Sequence, residues 1–228
     1  MISDYLWYPT DKVFTNGQWK EPDTGNKIEL VNPSNGKTIT NIAQGNSKDI
    51  DYAVSAGINA MKGPWGKSTA VQRGRLLQKL SELVTKRLDN LAYIESVDVG
   101  KPLTQSRNDA VALARYFEFY GGASDKITGE TIPYLNDYTV YTLREPYGVT
   151  GHIVPWNYPM QIIGRTLGAA LAMGNACVLK PSEEACLTAL AIGELAKEAG
   201  FPEGSINIVP GLGSEAGLSL SQHPEVRH

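Results

Sequence analysis

Cysteine and histidine are scarce: two cysteines, Cys177 and Cys186, and three histidines, His152, His223 and His228, in 228 residues. Two thiols build neither a disulfide framework nor a zinc site on their own. No histidine has a carboxylate or thiol at ligand spacing, so no metal site is expected. Low cysteine use fits a reducing cytoplasm. Blocks of like charge are also missing. The 21 Lys and Arg against 24 Asp and Glu leave a formal net charge of −3. That removes the electrostatic reason to expect nucleic acid or an anionic membrane as partner. No long apolar run occurs. The longest mostly apolar stretch, residues 166–179, is interrupted by Gly168, Gly174 and Asn175 and is too short to span a bilayer. The opening "MISDYLWYPTDK" has no basic segment leading into an apolar one, so no signal peptide is expected.

What is present is ordinary globular usage, 42% apolar and 20% charged, with enough chain for a real core. "KIELVNPSNGKTITNIA" reads as two strands joined by a turn at Asn32 to Gly36. The period then becomes helical. Ile50, Ala53, Val54, Gly57, Ile58 and Met61 share a face, with Ser47 as candidate cap. Ser68 caps a longer helical region along Leu76, Leu77, Leu80, Leu83 and Val84. Leu88, Leu91, Ala92 and Glu95 continue it after a bend, and Gly100-Lys101-Pro102 stops it. Thr104 to Tyr120 is a further helix, closed by Gly121-Gly122. "TGETIPYLNDYTVYTLR" reads as a hairpin, with Asn136-Asp137 accepting the positive φ of a tight turn. It either projects to pair with another subunit or lies on its own domain.

From Val149 onward strands and helices alternate. Strands are expected at 149–154, 176–179 and 206–209, and helices at 159–173, 183–199 and 214–221. Such alternation means a parallel sheet with crossover helices, whose ligands bind beyond the carboxyl ends of the strands. Three strand ends therefore matter. The first is Pro155-Trp156-Asn157, ahead of a helix begun by Pro159. Asn157 is either that helix's cap or an amide donor aimed into the cleft, where it would stabilise an oxyanion. The second is Lys180-Pro181-Ser182-Glu183. Ser182 is a natural cap, and Glu183 and Glu184 suit a first helical turn. Capping leaves Lys180 unexplained. An ammonium and a carboxylate at a strand end can together hold the two hydroxyls of a ribose. The carboxylate would also repel a 2′-phosphate, favouring NAD over NADP. The third end is "VPGLGSEAG", where Gly211, Gly213 and Gly217 make either a plain glycine-rich helix start or a surface that an adenosine can approach. Cys177 reads as a core residue, and Cys186 has no base near it in sequence.

Taken in order, "NGQW", "NPSNGKTI", "ESVDVGKPL", "REPYGVTGHIVPWNYP", "ALAMGNACVLKPSE" and "GFPEGSINIVPGLGSEAG" resemble the aldehyde dehydrogenase superfamily through nearly the whole chain. The resemblance implies an α/β fold: a Rossmann-like parallel sheet with helices on both faces, plus a projecting β-hairpin. It implies residues 1–127 as N-terminal strands and helices of a cofactor domain, 128–147 as an oligomerisation hairpin and 148–228 as the NAD-binding unit. It further implies oxidation of an aldehyde to a carboxylate through a thiohemiacetal, in a homodimer or homotetramer when full length. Asn157 matches the family's oxyanion donor. Lys180 and Glu183 match its ribose-binding pair, and Gly213 its adenosine-side glycine. Ile153, Pro155 and Trp156 match positions lining the cofactor cleft. With them, Val154, Ser182 and Gly217 complete the expected cofactor-binding set. Tyr158, Met160, Gln161, Gly164 and Arg165 are expected along the inner wall of an aldehyde tunnel.

Two departures stand out. Thr166 occupies a position where many members carry a lysine tied to the cofactor ribose. And no segment matches the family's pyrophosphate strand, glutamate base, nucleophilic cysteine or catalytic domain. These residues are therefore expected to be the amino-terminal part of an NAD-dependent dehydrogenase, inactive alone. The alternative is a non-catalytic nucleotide-binding or subunit-pairing fragment.

Overall fold

The computed structural model describes residues 2–228. A five-stranded sheet forms the centre. Strands β1 (Val13–Thr15) and β2 (Gln18–Lys20) lie at one side, then β9 (Ile206–Ile208), β8 (Ala176–Pro181) and β7 (Val149–Val154), in the order β2-β1-β9-β8-β7. The strands β7, β8 and β9 run parallel, as the alternation predicts, and β1 joins β9 antiparallel through Phe14 and Ile208. Along the free side of β7, Arg227 N–H donates to the Val149 carbonyl at 3.0 Å and Gly151 N–H to that of His228 at 2.8 Å. A separate ribbon pairs β3 (Lys27–Val31) with β4 (Thr38–Ala43).

Register decides which helix covers which face. Val149 pairs with Ala176, and both approach Gly57 of helix α1 (Ser47–Lys62), where an added Cβ would stand 3.0 Å from the valine. Leu179 and Ile208 pair on the opposite face, and Ile208 approaches Gly193 of α6 (Leu187–Ala199) equally closely, at 3.1 Å. Helices thus close both faces, and β8 is buried along its whole length. That matches the continuous apolar run expected of a central parallel strand.

The remaining helices are α2 (Ala70–Lys86), α3 (Leu88–Val99), α4 (Leu103–Ala123), α5 (Pro159–Ala172) and α7 (Leu218–Gln222). Several expected boundaries move. Asn46, not Ser47, caps α1, because Asp49 three residues on completes a capping box with it. Thr69, not Ser68, caps α2 in the same way with Gln72. The expected bend lies at Arg87, between α2 and α3, and Gly100 ends α3 in the left-handed conformation at φ 78°.

Gly121-Gly122 do not close α4, which runs on to Ala123. Gly121 instead marks a close helix crossing. A Cβ on Gly74 of α2 would stand 2.5 Å from the Gly121 carbonyl oxygen, so only hydrogen fits. The hairpin is reduced to β5 (Thr131–Ile132) and β6 (Val140–Tyr141). Its tip is a turn closed by Tyr138 N–H on the Leu135 carbonyl at 3.0 Å, and Asn136 and Asp137 keep ordinary negative φ. Seven residues between the paired strands remove the need for a tight primed turn. Among the described residues no helix is long and apolar enough to cross a membrane.

Candidate active site at the strand ends

The carboxyl ends of β7, β8 and β9 lie side by side, with Ile153 opposite Lys180 and Leu179 opposite Ile208. At the first end, Val154 is buried in the core while Ile153 is 53% exposed and Trp156 58% exposed. Pro155, Asn157 and Tyr158 are exposed with them. Asn157 is not the helix cap. Tyr158 holds that position without any side-chain cap bond, and Pro159 occupies the first turn, where its missing N–H costs nothing. No hydrogen bond engages the Asn157 side chain among the described residues; its backbone carbonyl alone is bonded, by Lys101.

At the second end the strand-to-helix connection is longer than expected. Residues 182–185 form a turn, with Ala185 N–H on the Ser182 carbonyl and Glu184 N–H on Ser182 Oγ at 3.2 Å. Helix α6 starts only at Leu187, so Ser182 is a turn residue and not a cap, and neither glutamate sits in a first helical turn. The capping carboxylate comes from far away: Asp98 Oδ2 of α3 accepts the Leu187 N–H at 2.9 Å. Burial pushes the Asp98 carboxyl up to about 8, against the pull of that amide.

Released from the helix, Glu183 bridges two strand ends. Its Oε2 lies 2.7 Å from Lys180 Nζ, and its Oε1 accepts the Gly213 N–H at 3.1 Å. The Lys180 side chain is 3% exposed and that of Glu183 26%. Burial opposes ionisation of Glu183, but the bonds from Lys180 and the Gly213 amide outweigh it and hold the carboxyl below its usual value. At the third end, Gly213–Gly217 form one π-helical turn leading into α7. Gly213 is exposed, and a Cβ there would meet only Glu183 Oε1, at 3.9 Å; Gly217 is buried, its Cβ position in contact with the Lys180 side chain at 3.9 Å. Gly211 differs. Its Cβ would stand 2.5 Å from the Gly45 carbonyl oxygen, which makes it a packing residue.

The tertiary structure thus brings Lys180, Glu183 and Gly213 together across two strand ends, with Gly217 packed beside Lys180 and Ile153 in register with Lys180 on the neighbouring strand. Pro155, Trp156 and Asn157 follow the end of β7, and Trp156 lines a separate hollow with Glu184 and Ala185. Of the expected tunnel residues, Met160 and Gly164 are core. Gly164 packs on Tyr116 of α4, where a Cβ would stand 2.9 Å away. Gln161 is drawn inward, its Nε2 donating to Asp109 Oδ1 at 2.6 Å. Arg165 and Thr166 are exposed, and the Thr166 hydroxyl donates to the Ile162 carbonyl at 2.9 Å. Both cysteines are buried. Burial pushes the Cys177 thiol up to about 12 and Cys186 well above its ordinary value, so neither is a ready thiolate.

Behind the first strand end lies a charged cluster that sequence reasoning overlooked. Lys101 Nζ stands 2.6 Å from Glu95 Oε1 and 2.6 Å from Asp109 Oδ2. One signal was available: Glu95 falls on the apolar face of its helix, a placement tolerated only with a partner. No group of three or more metal-ligating side chains occurs among the described residues.

Comparison with known proteins agrees with this architecture. The model of the aldehyde dehydrogenase family matches residues 19–228. Hydroxyisobutyraldehyde dehydrogenase of Mycolicibacterium austroafricanum is 44% identical over 215 residues, covering 94% of this chain and 42% of that protein. A crystal structure of an aldehyde dehydrogenase homologue from Burkholderia cenocepacia superposes with a TM-score of 0.93 at 57% identity, over 94% of this chain and 45% of that one. The NAD+ complex of aldehyde dehydrogenase from Bacillus cereus gives a TM-score of 0.95 at 38% identity, over 99% of this chain and 46% of that one. The chain spans less than half the length of the relatives it matches. On the family match and these superpositions, the chain belongs to the aldehyde dehydrogenase family.

Proposed function

We propose that this chain is the dinucleotide-binding portion of an NAD-dependent aldehyde dehydrogenase, oxidising an aldehyde to a carboxylic acid through a thiohemiacetal. The observation that carries the reading is the Lys180–Glu183–Gly213 bridge across two strand ends, with Asn157 just beyond the end of the adjacent strand β7. The residues present fit a dinucleotide. Lys180 offers N–H donors and Glu183 offers acceptors to a pair of vicinal hydroxyls. Exposed Gly213 leaves room for close approach, and Ile153, Pro155 and Trp156 offer exposed apolar surface to a flat ring. A carboxylate at the ribose position disfavours a 2′-phosphate, hence NAD over NADP. The bound dinucleotide supplies the hydride acceptor.

Asn157 performs this chain's own part of the chemistry. Its N–H₂ donates to the aldehyde oxygen, and that bond strengthens as the oxygen gains negative charge under nucleophilic attack. Neither Cys177 nor Cys186 supplies the attacking thiolate. The same two buried thiols favour a second reading for the polypeptide by itself: it binds the dinucleotide without turning over. The exposed hairpin residues Tyr134, Leu135, Tyr138 and Leu143 make residues 128–147 the candidate subunit-pairing arm of a homodimer or homotetramer. Two reduced cysteines suit the cytoplasm.

In the active enzyme, Asn157→Ala is expected to lower kcat by about 10²–10³-fold with little change in dinucleotide affinity. Steady-state kinetics with an aldehyde in excess check this. Equal turnover by the variant would sink the oxyanion role.

A further inference from the structure

The buried cluster behind Asn157 has a feature that packing alone does not require. Three oxygens surround the Lys101 ammonium, two of them as hydrogen-bond acceptors and Glu95 Oε1 as an ion-pair partner. Two are carboxylates, Glu95 Oε1 and Asp109 Oδ2, each at 2.6 Å. The third is the backbone carbonyl of Asn157, at 3.4 Å. The ammonium also lies 4.8 Å from the centroid of the Tyr158 ring, within cation–π range. Both carboxylates are wholly buried and Lys101 nearly so.

Each carboxylate is tied in turn to a separate element. The Thr188 hydroxyl of α6 donates to Glu95 Oε2 at 3.1 Å, and Gln161 of α5 donates to Asp109 Oδ1 at 2.6 Å. One ammonium therefore joins α3, α4, α5 and α6 to the exposed turn that presents the Asn157 amide. Buried charges are poor stabilisers compared with apolar residues of similar volume, so such a cluster is better explained by the geometry it fixes.

We propose that Lys101 is a positioning residue: held by Glu95 and Asp109, it anchors the Asn157 carbonyl and the Tyr158 ring and thereby fixes where the Asn157 side chain points. The inference rests on Asn157 being the oxyanion donor. Lys101 reaches this turn from the body, at the Asn157 carbonyl and the Tyr158 ring. The turn projects from the sheet, its side chains are exposed, and Asn157 has no cap bond to hold it. Displacement of a catalytic donor by about 1 Å can cost on the order of 10²-fold in rate.

The test removes one charge of each sign, Glu95→Gln with Lys101→Met, so that the buried balance is kept. In the active enzyme kcat is expected to fall about 10- to 100-fold while the KM for the dinucleotide stays within about twofold. In the 228-residue chain, ¹⁵N order parameters of Trp156, Asn157 and Tyr158 are expected to drop from about 0.85 toward 0.6. Unchanged kcat together with unchanged order parameters would overturn the proposal. If the double variant fails to fold, Lys101→Arg decides. It keeps the charge but replaces a compact point donor by a planar fork, so a several-fold lower kcat at constant KM is expected, and parental kcat refutes. Asn157→Ala run in parallel separates the two ideas. Should it leave kcat unchanged, the oxyanion reading fails, and the order parameters alone then decide whether Lys101 anchors the turn.

Discussion

Glu183→Gln perturbs the site with almost no change of shape, and its outcome follows from the two bonds the carboxylate makes. One oxygen takes the Lys180 ammonium at 2.7 Å and the other the Gly213 N–H at 3.1 Å. A glutamine has one acceptor oxygen and an N–H₂ group. Either rotamer turns that N–H₂ toward a donor, so one of the two contacts is lost. The bridge to a bound ribose loses its charge at the same time. A hydrogen bond involving an ionised group contributes about 1.5–3 kcal/mol, which is about a 10- to 150-fold weakening of NAD. NADP, lacking the free 2′-hydroxyl, never had that bond and escapes a repulsion. The preference for NAD over NADP should therefore fall by at least about tenfold. Calorimetric titration of the chain with each dinucleotide measures both constants. Equal weakening of NAD and NADP would refute the reasoning, because it would place the effect in the unpaired Lys180, whose side chain is 3% exposed, and not in the ribose.

Two further outcomes are expected. Asp98, with its carboxyl raised to about 8 from 3.8, binds its proton more tightly in the native state, so it favours folding below about pH 4 and that contribution is lost as pH rises through about 8. Every tenfold difference in proton affinity between the native and unfolded chain corresponds to about 1.4 kcal/mol. Asp98→Asn keeps the acceptor for the Leu187 amide, so the parent's melting temperature should fall relative to the variant's between those pH values, and parallel curves would contradict the assignment. Replacing Leu135, Tyr138 and Leu143 by serine should leave the melting temperature nearly unchanged while lowering the oligomeric state seen by light scattering. An unaltered oligomer would remove the pairing role of the hairpin.

The strands β7, β8 and β9 were legible because each is a short, largely apolar run followed by a helical period, and nothing distant competes with that pattern. The strand-end residues were legible for the same reason. Position along a parallel strand fixes which residues reach the carboxyl edge. The capping sites of α1 and α2 were misplaced by one residue each, since Ser47 and Ser68 satisfy the local rule almost as well as Asn46 and Thr69. The partner three residues on broke the tie. Gly121 reads as a helix stop in any local view. Its real constraint is the backbone of Gly74, on another helix.

Local chemistry, then, determined the alternation of elements, the three strand ends and the residue types standing there, because propensity and period act over a few neighbours. Only the tertiary structure decided what those residues do. Asp98 takes over the cap of α6 and leaves Glu183 to bridge Lys180 and Gly213, and Lys101 reaches the back of Asn157 between two buried carboxylates. These contacts join residues far apart in the chain. Their energies depend on burial and on which donors face which acceptors, quantities that exist only once the elements have packed.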